Sequence, residues 1–439
     1  MNGNRTARNP SHVVNRFMIN RREFLGITAG AGATLSLTPQ LLRALQQQSG
    51  QLIQRVIPST GEKLPVVGLS FSNHVSCADP AALREVFKTF VDNGGRVFDA
   101  MHGNVAAEQF HATVASELGV QDKLFWSTKG ITVGIPPQPG PVTVNTAVET
   151  WLARRKASRL DLVMIPVGGD PTWLAALQEE KKRGRVRYIG VQTIVVKSDL
   201  ARLETIMRNE PIDFIGVDYD LSNRHVEDVI LPLALERKIG VMVFFPFSNN
   251  AGTSCSAMSR NLFARVGKTP LPDWAAEFDA KTWAQFFLKY VISHPAVTVA
   301  RVGTTKATHM LDNMAGGVGR LPNEATRKRM AAFIDALPAL PPLPPNPAAA
   351  PGIALPAAIL DRYVGEYKAA SGFTAIFRRD GDKLFVKPGN NPEVPLNARS
   401  EIRFQDPRGP FFEFQVDAQG KVTGAVLEQG PQRITLERK

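Results

Sequence analysis

Two charged residues close short apolar runs in the first third of the chain: Asp99 in Val97-Phe98-Asp99 and Lys129 in Trp126-Ser127-Thr128-Lys129. An acid and an amine at the carboxyl ends of β-like runs stand where a barrel keeps its chemistry, or they are an ordinary strand-end salt bridge. A second cluster, Gly303-Thr304-Thr305-Lys306-Ala307-Thr308-His309, leads from a β-like stretch into a helical one. Backbone N–H groups at a helix start suit an anion, and Lys306 and His309 can add positive charge; a surface loop with a helix cap is the plain alternative. Four further histidines, His74, His111, His225 and His294, show no metal spacing with one another or with acid pairs, and they read as surface or packed side chains. There is no G-x-S-x-G elbow, so a serine hydrolase is not supported. Cys77 and Cys255 are too few for a thiolate cage or a disulfide framework and read as buried thiols.

The elements that must carry these residues alternate. Strand-like runs fall at 64–71, 96–101, 124–129, 160–167, 186–192, 213–219, 240–246 and 297–303. Stretches of helical length such as 80–93, 142–157 and 281–293 lie between them. Eight such units predict an α/β fold, a (β/α)8 TIM barrel. An open doubly wound sheet is the alternative, but no G-x-G-x-x-G follows the first strand. Residues 338–356 then carry eight prolines and read as a stiff spacer. Beyond it, short alternating runs broken by Arg379-Asp380-Gly381-Asp382, Pro388-Gly389-Asn390-Asn391 and Asp417-Ala418-Gln419-Gly420 predict a small antiparallel β domain.

The chain has 439 residues, 44% of them hydrophobic and 21% charged, which excludes a mainly disordered protein. Its formal charge of +12 includes +5 from residues 1–44, where six arginines face one acid. The remaining +7 is spread along the chain without basic clusters interleaved with aromatics. Nucleic acid is therefore not an expected partner, and a pocket for an anionic ligand is compatible. At the N-terminus, Arg21-Arg22-Glu23-Phe24-Leu25 precedes a Gly/Ala-rich, mildly apolar run too short and weak to span a membrane. This resembles a twin-arginine export signal, which implies transient engagement of the export machinery and an extracytoplasmic, periplasmic destination.

Three motifs resemble the aldo-keto reductase family. Arg55-Val-Ile-Pro-Ser-Thr-Gly61 through Gly68-Leu69 is similar to its opening hairpin and first strand. Lys182-Arg-Gly184-Arg-Val-Arg-Tyr188-Ile-Gly190-Val191 is similar to its helix-to-strand step, and 303–313 to its cofactor-phosphate loop. Residues 270–337 resemble a branch of exported bacterial members. The resemblance implies an NADP(H)-dependent carbonyl reductase, with NADPH as cofactor and a small molecule as substrate. Family members use an Asp, a Tyr, a Lys and a His around the carbonyl. Tyr donates the proton, Lys lowers its pKa and is held by Asp, and His orients the carbonyl.

On that pattern Asp99 and Lys129 are the inherited Asp and Lys, and His102 occupies the Tyr position in Asp99-Ala-Met-His102-Gly103. No Tyr lies between 55 and 187, and the His position is Pro166. The cofactor contacts carried over are Gln192, with Thr193 beside it, and Gly303, Thr304, Thr305, Lys306, His309 and Asn313. Gly216 replaces a family Gln, Phe245 a polar or basic residue, and Ser70-Phe71 a Gly-Thr pair. The C-terminal part resembles a family of unknown function often appended to bacterial β-lactamase-like hydrolases, and it reads as a barrel-like accessory domain.

The expected organisation is a leader at 1–48, the barrel at 49–337, the Pro-rich linker at 338–356 and the β domain at 357–439, in a monomer without a metal. Two functions fit: an exported reductase with an eroded tetrad, or a non-catalytic barrel binding a small anionic or nucleotide ligand. Free NADPH is scarce outside the cytoplasm, so turnover there would need a retained cofactor or a supplied reductant. Export is tested by changing Arg21 and Arg22 together to Lys. The precursor is expected to stay in the cytoplasm, because the arginine pair and not its charge is read; normal export of the Lys-Lys chain would overturn the reading.

Overall fold

The computed structural model describes residues 51–71, 78–100, 105–129, 142–193, 197–248, 261–338, 340, 350–369, 373–389, 393–407, 409–429 and 432–439. The leader, Cys77, Cys255, His74 and His102 lie outside them, and so does the side chain of Lys129.

Strands β1 (Gln54–Val56) and β2 (Lys63–Pro65) form an antiparallel hairpin whose turn contains Gly61 at φ +78°. Eight parallel strands follow: β3 (Val67–Leu69), β4 (Val97–Ala100), β5 (Phe125–Lys129), β6 (Leu160–Pro166), β7 (Val186–Gln192), β8 (Phe214–Asp218), β9 (Gly240–Phe244) and β10 (Val297–Val302). They pair in chain order, and β10 closes onto β3. The expected (β/α)8 barrel is thus the observed architecture. The strands read as near-continuous apolar runs because both faces are covered, one by helices and one by the barrel's own interior. The helix Pro80–Asp92 begins after Asp79, whose carboxylate accepts from the Ala81 N–H at 3.1 Å, and it buries Leu83, Val86, Phe87 and Phe90 along one stripe.

The interior is filled by large side chains set against glycines. A Cβ on Gly190 would lie 2.6 Å from the Phe214 carbonyl oxygen, and one on Gly216 would lie 2.5 Å from the Phe244 ring. The hairpin plugs the amino-terminal end. Ile57 and Leu64 join the interior cluster, and the Tyr188 hydroxyl lies 2.9 Å from Thr60 Oγ1 and donates to Glu62 at 2.7 Å. With that end closed, the carboxyl ends of the strands are left to carry a site.

The second body is also a closed barrel, but antiparallel: β11 (Gly365–Lys368), β12 (Thr374–Asp380), β13 (Lys383–Pro388), β14 (Val394–Ala398), β15 (Arg403–Gln405), β16 (Phe411–Val416), β17 (Val422–Gln429) and β18 (Gln432–Arg438), with β18 returning to β11. Aromatic rings fill it; Tyr363 stacks on Phe414 with centroids 4.1 Å apart, and Tyr367 packs edge-on against Phe377. The end of the Pro-rich run lies against this barrel. The Ile353 N–H donates to the Ala398 carbonyl at 2.9 Å, and a Cβ on Gly352 would lie 2.5 Å from the Ala398 nitrogen.

Candidate active site

In a parallel barrel, alternate residues of each strand point inward, and those nearest the carboxyl end line the mouth. Asp99 stands there on β4, fully buried and opposite Ser127 of β5 in register. Lys129 ends β5 two residues beyond Ser127. The side chain that meets Asp99 is one the sequence reading missed: Arg301, from β10. Its guanidinium donates to Asp99 Oδ2 in a short ion pair and to Ser70 Oγ at 3.1 Å. The pair is sealed from water, with side-chain exposures of 5% for Arg301 and 0% for Asp99. The path between them crosses β3, where Gly68 is the residue opposite Arg301 and presents no side chain.

Aromatic faces complete the setting of the guanidinium. Its carbon lies 4.4 Å from the Phe244 ring centroid and 5.6 Å from that of Phe245. A cation over an aromatic face is attracted to the ring's negative centre, more strongly where water is excluded. Phe245 takes this position with a left-handed backbone, φ +50°, and Ser248 shortly after it has φ +80°. Bulky residues hold such a backbone only where surrounding structure compels it. The change from a polar residue to Phe245 therefore has a physical partner in Arg301. Ser70, likewise, supplies the hydroxyl that Arg301 uses.

At the end of β7 stand Gln192 and Thr193. Thr193 is 5% exposed, yet its Oγ1 has no hydrogen-bond partner among the described residues, and Gln192 Oε1 is also buried without one. Ser127 Oγ, beside Asp99, shares this condition. Buried polar atoms in native structures are nearly always satisfied, so adjacent orphans at a barrel mouth point to a ligand or ordered water. Pro166 ends β6 as the register neighbour of Gln192, leaving the mouth without an imidazole there.

The segment after β10 places Gly303, Thr304, Thr305 and Lys306 immediately before the helix Ala307–Gly316. Lys306 is the N-cap residue, and no side chain caps this helix. Thr304 Oγ1 accepts from the Lys306 N–H at 3.2 Å and lies 3.5 Å from His309 Nδ1. Burial first, and the Lys306 ammonium second, hold the His309 imidazole below its ordinary pKa, so it is neutral at pH 7. Asn313, on the same helix, is buried.

No tyrosine reaches the mouth, although the chain has five. Tyr188 belongs to the plug at the opposite end. Tyr219 follows β8, but its hydroxyl is held by Glu227 and, at 2.6 Å, by Arg327; Tyr290 donates to the same Glu227 at 2.8 Å. Burial pushes both phenols far above their ordinary range. Tyr363 and Tyr367 lie in the core of the antiparallel barrel. His111 packs against the Phe71 and Phe98 rings. His294 is pushed down to about 4, by burial first and the Arg327 charge second.

Arg301 carried a signal that could have been read. It is the one charge within Val297-Thr-Val-Ala-Arg-Val302, a strand buried throughout, so it required a partner.

Comparison with known proteins follows this geometry. The model of the Aldo/keto reductase family matches residues 68–328, and that of the Domain of unknown function (DUF3471) matches residues 349–438. A Glycine max protein bearing the name aldo-keto reductase 1 is 24% identical over 230 residues, 45% of this chain and 61% of that protein. The chain thus spans about three-fifths of that relative's length. Among solved structures, the holo form of an aldo-keto reductase from Bacillus halodurans superposes with a TM-score of 0.50 at 18% identity, covering 65% of this chain and 96% of the other. An aldo-keto reductase from Klebsiella pneumoniae in complex with NADPH gives 0.49 at 19%, covering 67% and 98%.

The Arg301–Asp99 pair can be tested by a double-mutant cycle in thermal and denaturant unfolding. Arg301→Met and Asp99→Leu are each expected to destabilise by about 3–5 kcal/mol, because each removes a partner of a buried charge; the double variant should lose less than the sum of the two. Additive losses would show that the two charges are not coupled.

Proposed function

Because the chain belongs to the aldo/keto reductase family, we propose that it is an exported oxidoreductase that binds NADP(H) at the barrel mouth and reduces a small carbonyl compound through an incomplete proton relay. The observation that carries the cofactor reading is the pair of buried, unpartnered polar atoms at Gln192 and Thr193, on the same face of the barrel as the uncapped helix start at Lys306. These residues fit a nicotinamide dinucleotide. Gln192 and Thr193 would hold its amide-bearing end, and Gly303, Thr304, Thr305 and Lys306, with His309 and Asn313, its phosphate-bearing end. When bound, the nicotinamide supplies the hydride. A neutral His309 beside Lys306 can still donate one hydrogen bond to an anion, so the loop's fixed charge comes from Lys306.

The chain's own part in the reaction is to orient the carbonyl and supply a proton. Arg301 and Ser70 fix Asp99. Lys129, at the end of β5, and His102 are the remaining candidates for the relay. A guanidinium is a hydrogen-bond donor and not a proton donor, so Arg301 cannot replace the missing phenol. Losing a positioned general acid typically lowers a rate by about 100- to 10,000-fold. A second reading, a non-catalytic barrel that binds a nucleotide or small anion, is favoured by the commitment of all five tyrosines elsewhere.

Fluorescence titration of NADPH with the full chain separates these readings. Saturable binding, weakened about tenfold by Lys306→Ala, is expected from loss of a charged contact. Reduction of a simple aldehyde should be very slow at pH 7.5 and rise toward pH 5.5, since an imidazole titrates near about 6.5, and His102→Ala should abolish the rise. Binding without turnover at any pH would favour the non-catalytic reading. Brisk turnover insensitive to His102→Ala would assign the proton to another residue, and absence of binding would remove NADP(H) altogether.

A further inference from the structure

Burial around the Arg301–Asp99 pair is uneven. Asp99, Arg301 and Phe244 are buried, whereas Phe245, whose ring centroid lies 5.6 Å from the guanidinium carbon, is only partly so. Phe245 packs against the interior cluster that contains Phe214, Met242 and Phe244, and it does so from the end at which β9 stops. The hairpin fills the other end of that cluster with Ile57 and Leu64. The exposed part of the Phe245 ring therefore belongs to the mouth, and the ring stands between the mouth and the guanidinium.

The backbone that holds the ring there is one that aromatic residues avoid. Phe245 has φ +50°, and its carbonyl accepts from the Ser248 N–H at 2.9 Å in the turn that follows. Glycine or asparagine would take that conformation at less cost, so the turn alone does not call for a phenylalanine. Across the mouth, β6 adds a second apolar group. Leu162 and Met164 belong to the interior cluster, and Pro166 continues their inward alternation at the exposed end of the strand. Neither Phe245 nor Pro166 carries a side-chain hydrogen-bonding group.

We propose that Phe245 determines which carbonyl compounds the mouth accepts: its ring keeps water from the Arg301–Asp99 pair and selects uncharged substrates over those bearing a carboxylate. A carboxylate pressed against an aromatic ring and a proline would lose its hydration without a hydrogen bond in return, and a buried arginine already committed to Asp99 gives it little net attraction. An uncharged carbonyl compound loses much less. Selection of this kind works by excluding the wrong ligand. The assignment rests on the reductase reading for its substrate and on the ion pair for its geometry.

The test uses the full chain and two variants that accept a left-handed backbone, Phe245→Gly and Phe245→Asn. NMR of arginine-labelled protein follows exchange of the Arg301 guanidinium protons with water. Exchange is expected to be at least about tenfold faster in both variants than in the natural chain, at unchanged global unfolding. Reduction of benzaldehyde and of its para-carboxylate analogue with NADPH at about pH 6 gives a ratio of kcat/KM values. The natural chain is expected to favour benzaldehyde at least about tenfold, and Phe245→Asn to narrow this to about threefold or less. A natural chain that takes both aldehydes equally well would overturn the assignment. So would exchange rates that neither variant changes, or a ratio that Phe245→Asn leaves as it was. Failure of every chain to reduce either aldehyde would count against the reductase reading; binding of the two aldehydes, read from chemical shifts in the same samples, then decides the selection, and equal affinity would overturn it.

Discussion

A guanidinium and a carboxylate inside a closed barrel cannot be parted without leaving a charge stranded away from water. The Arg301–Asp99 pair imposes that constraint on everything at the mouth. It ties β10 to β4 across β3, where Gly68 stands beside Arg301 in register. It takes the Ser70 hydroxyl as an additional acceptor and draws the Phe244 and Phe245 rings over the guanidinium. The left-handed backbone at Phe245 is tolerated in the same small volume. A left-handed aromatic and a serine are therefore parts of one arrangement with the ion pair.

The pair also bears on the chemistry. Members of the family, as the sequence motifs imply, set a lysine on the aspartate so that a nearby phenol gives up its proton more readily. Among the described side chains, a guanidinium holds Asp99. The phenols are distributed to the barrel plug, to the Glu227–Arg327 network and to the second barrel. On the proposed reading, what the mouth offers is groups for binding. Orphaned acceptors sit at the end of β7, and an uncapped helix start with Lys306 lies beyond β10. A binding function can persist where proton transfer has become inefficient, because the two draw on different residues.

Much of the fold was legible from local pattern. Eight apolar runs separated by helical stretches specify a barrel; seven of the observed strands differ from those runs at most at their ends, whereas the run 64–71 divides between the hairpin strand β2 and the barrel strand β3. The phosphate-type loop was readable because its requirements, small residues before a helix and a nearby cation, are local. Arg301 was not readable in the same way. Its partner is 202 residues away, and only barrel closure between β10 and β3 brings the two together. The barrel-like character of the second domain came with its resemblance and not with local pattern: each hairpin announces itself by its turn, whereas the β11–β18 pairing joins the two ends of the domain.

The barrel mouth around the Arg301–Asp99 pair is proposed to take a nicotinamide dinucleotide. The most direct measurement is a crystal structure of the full chain grown with NADP+. The expected result is the amide-bearing end of the nucleotide on Gln192 and Thr193, its phosphates at residues 303–306, and the Arg301 guanidinium still on Asp99. A nucleotide bound elsewhere, or an Asp99 carboxylate turned away from Arg301, would contradict it.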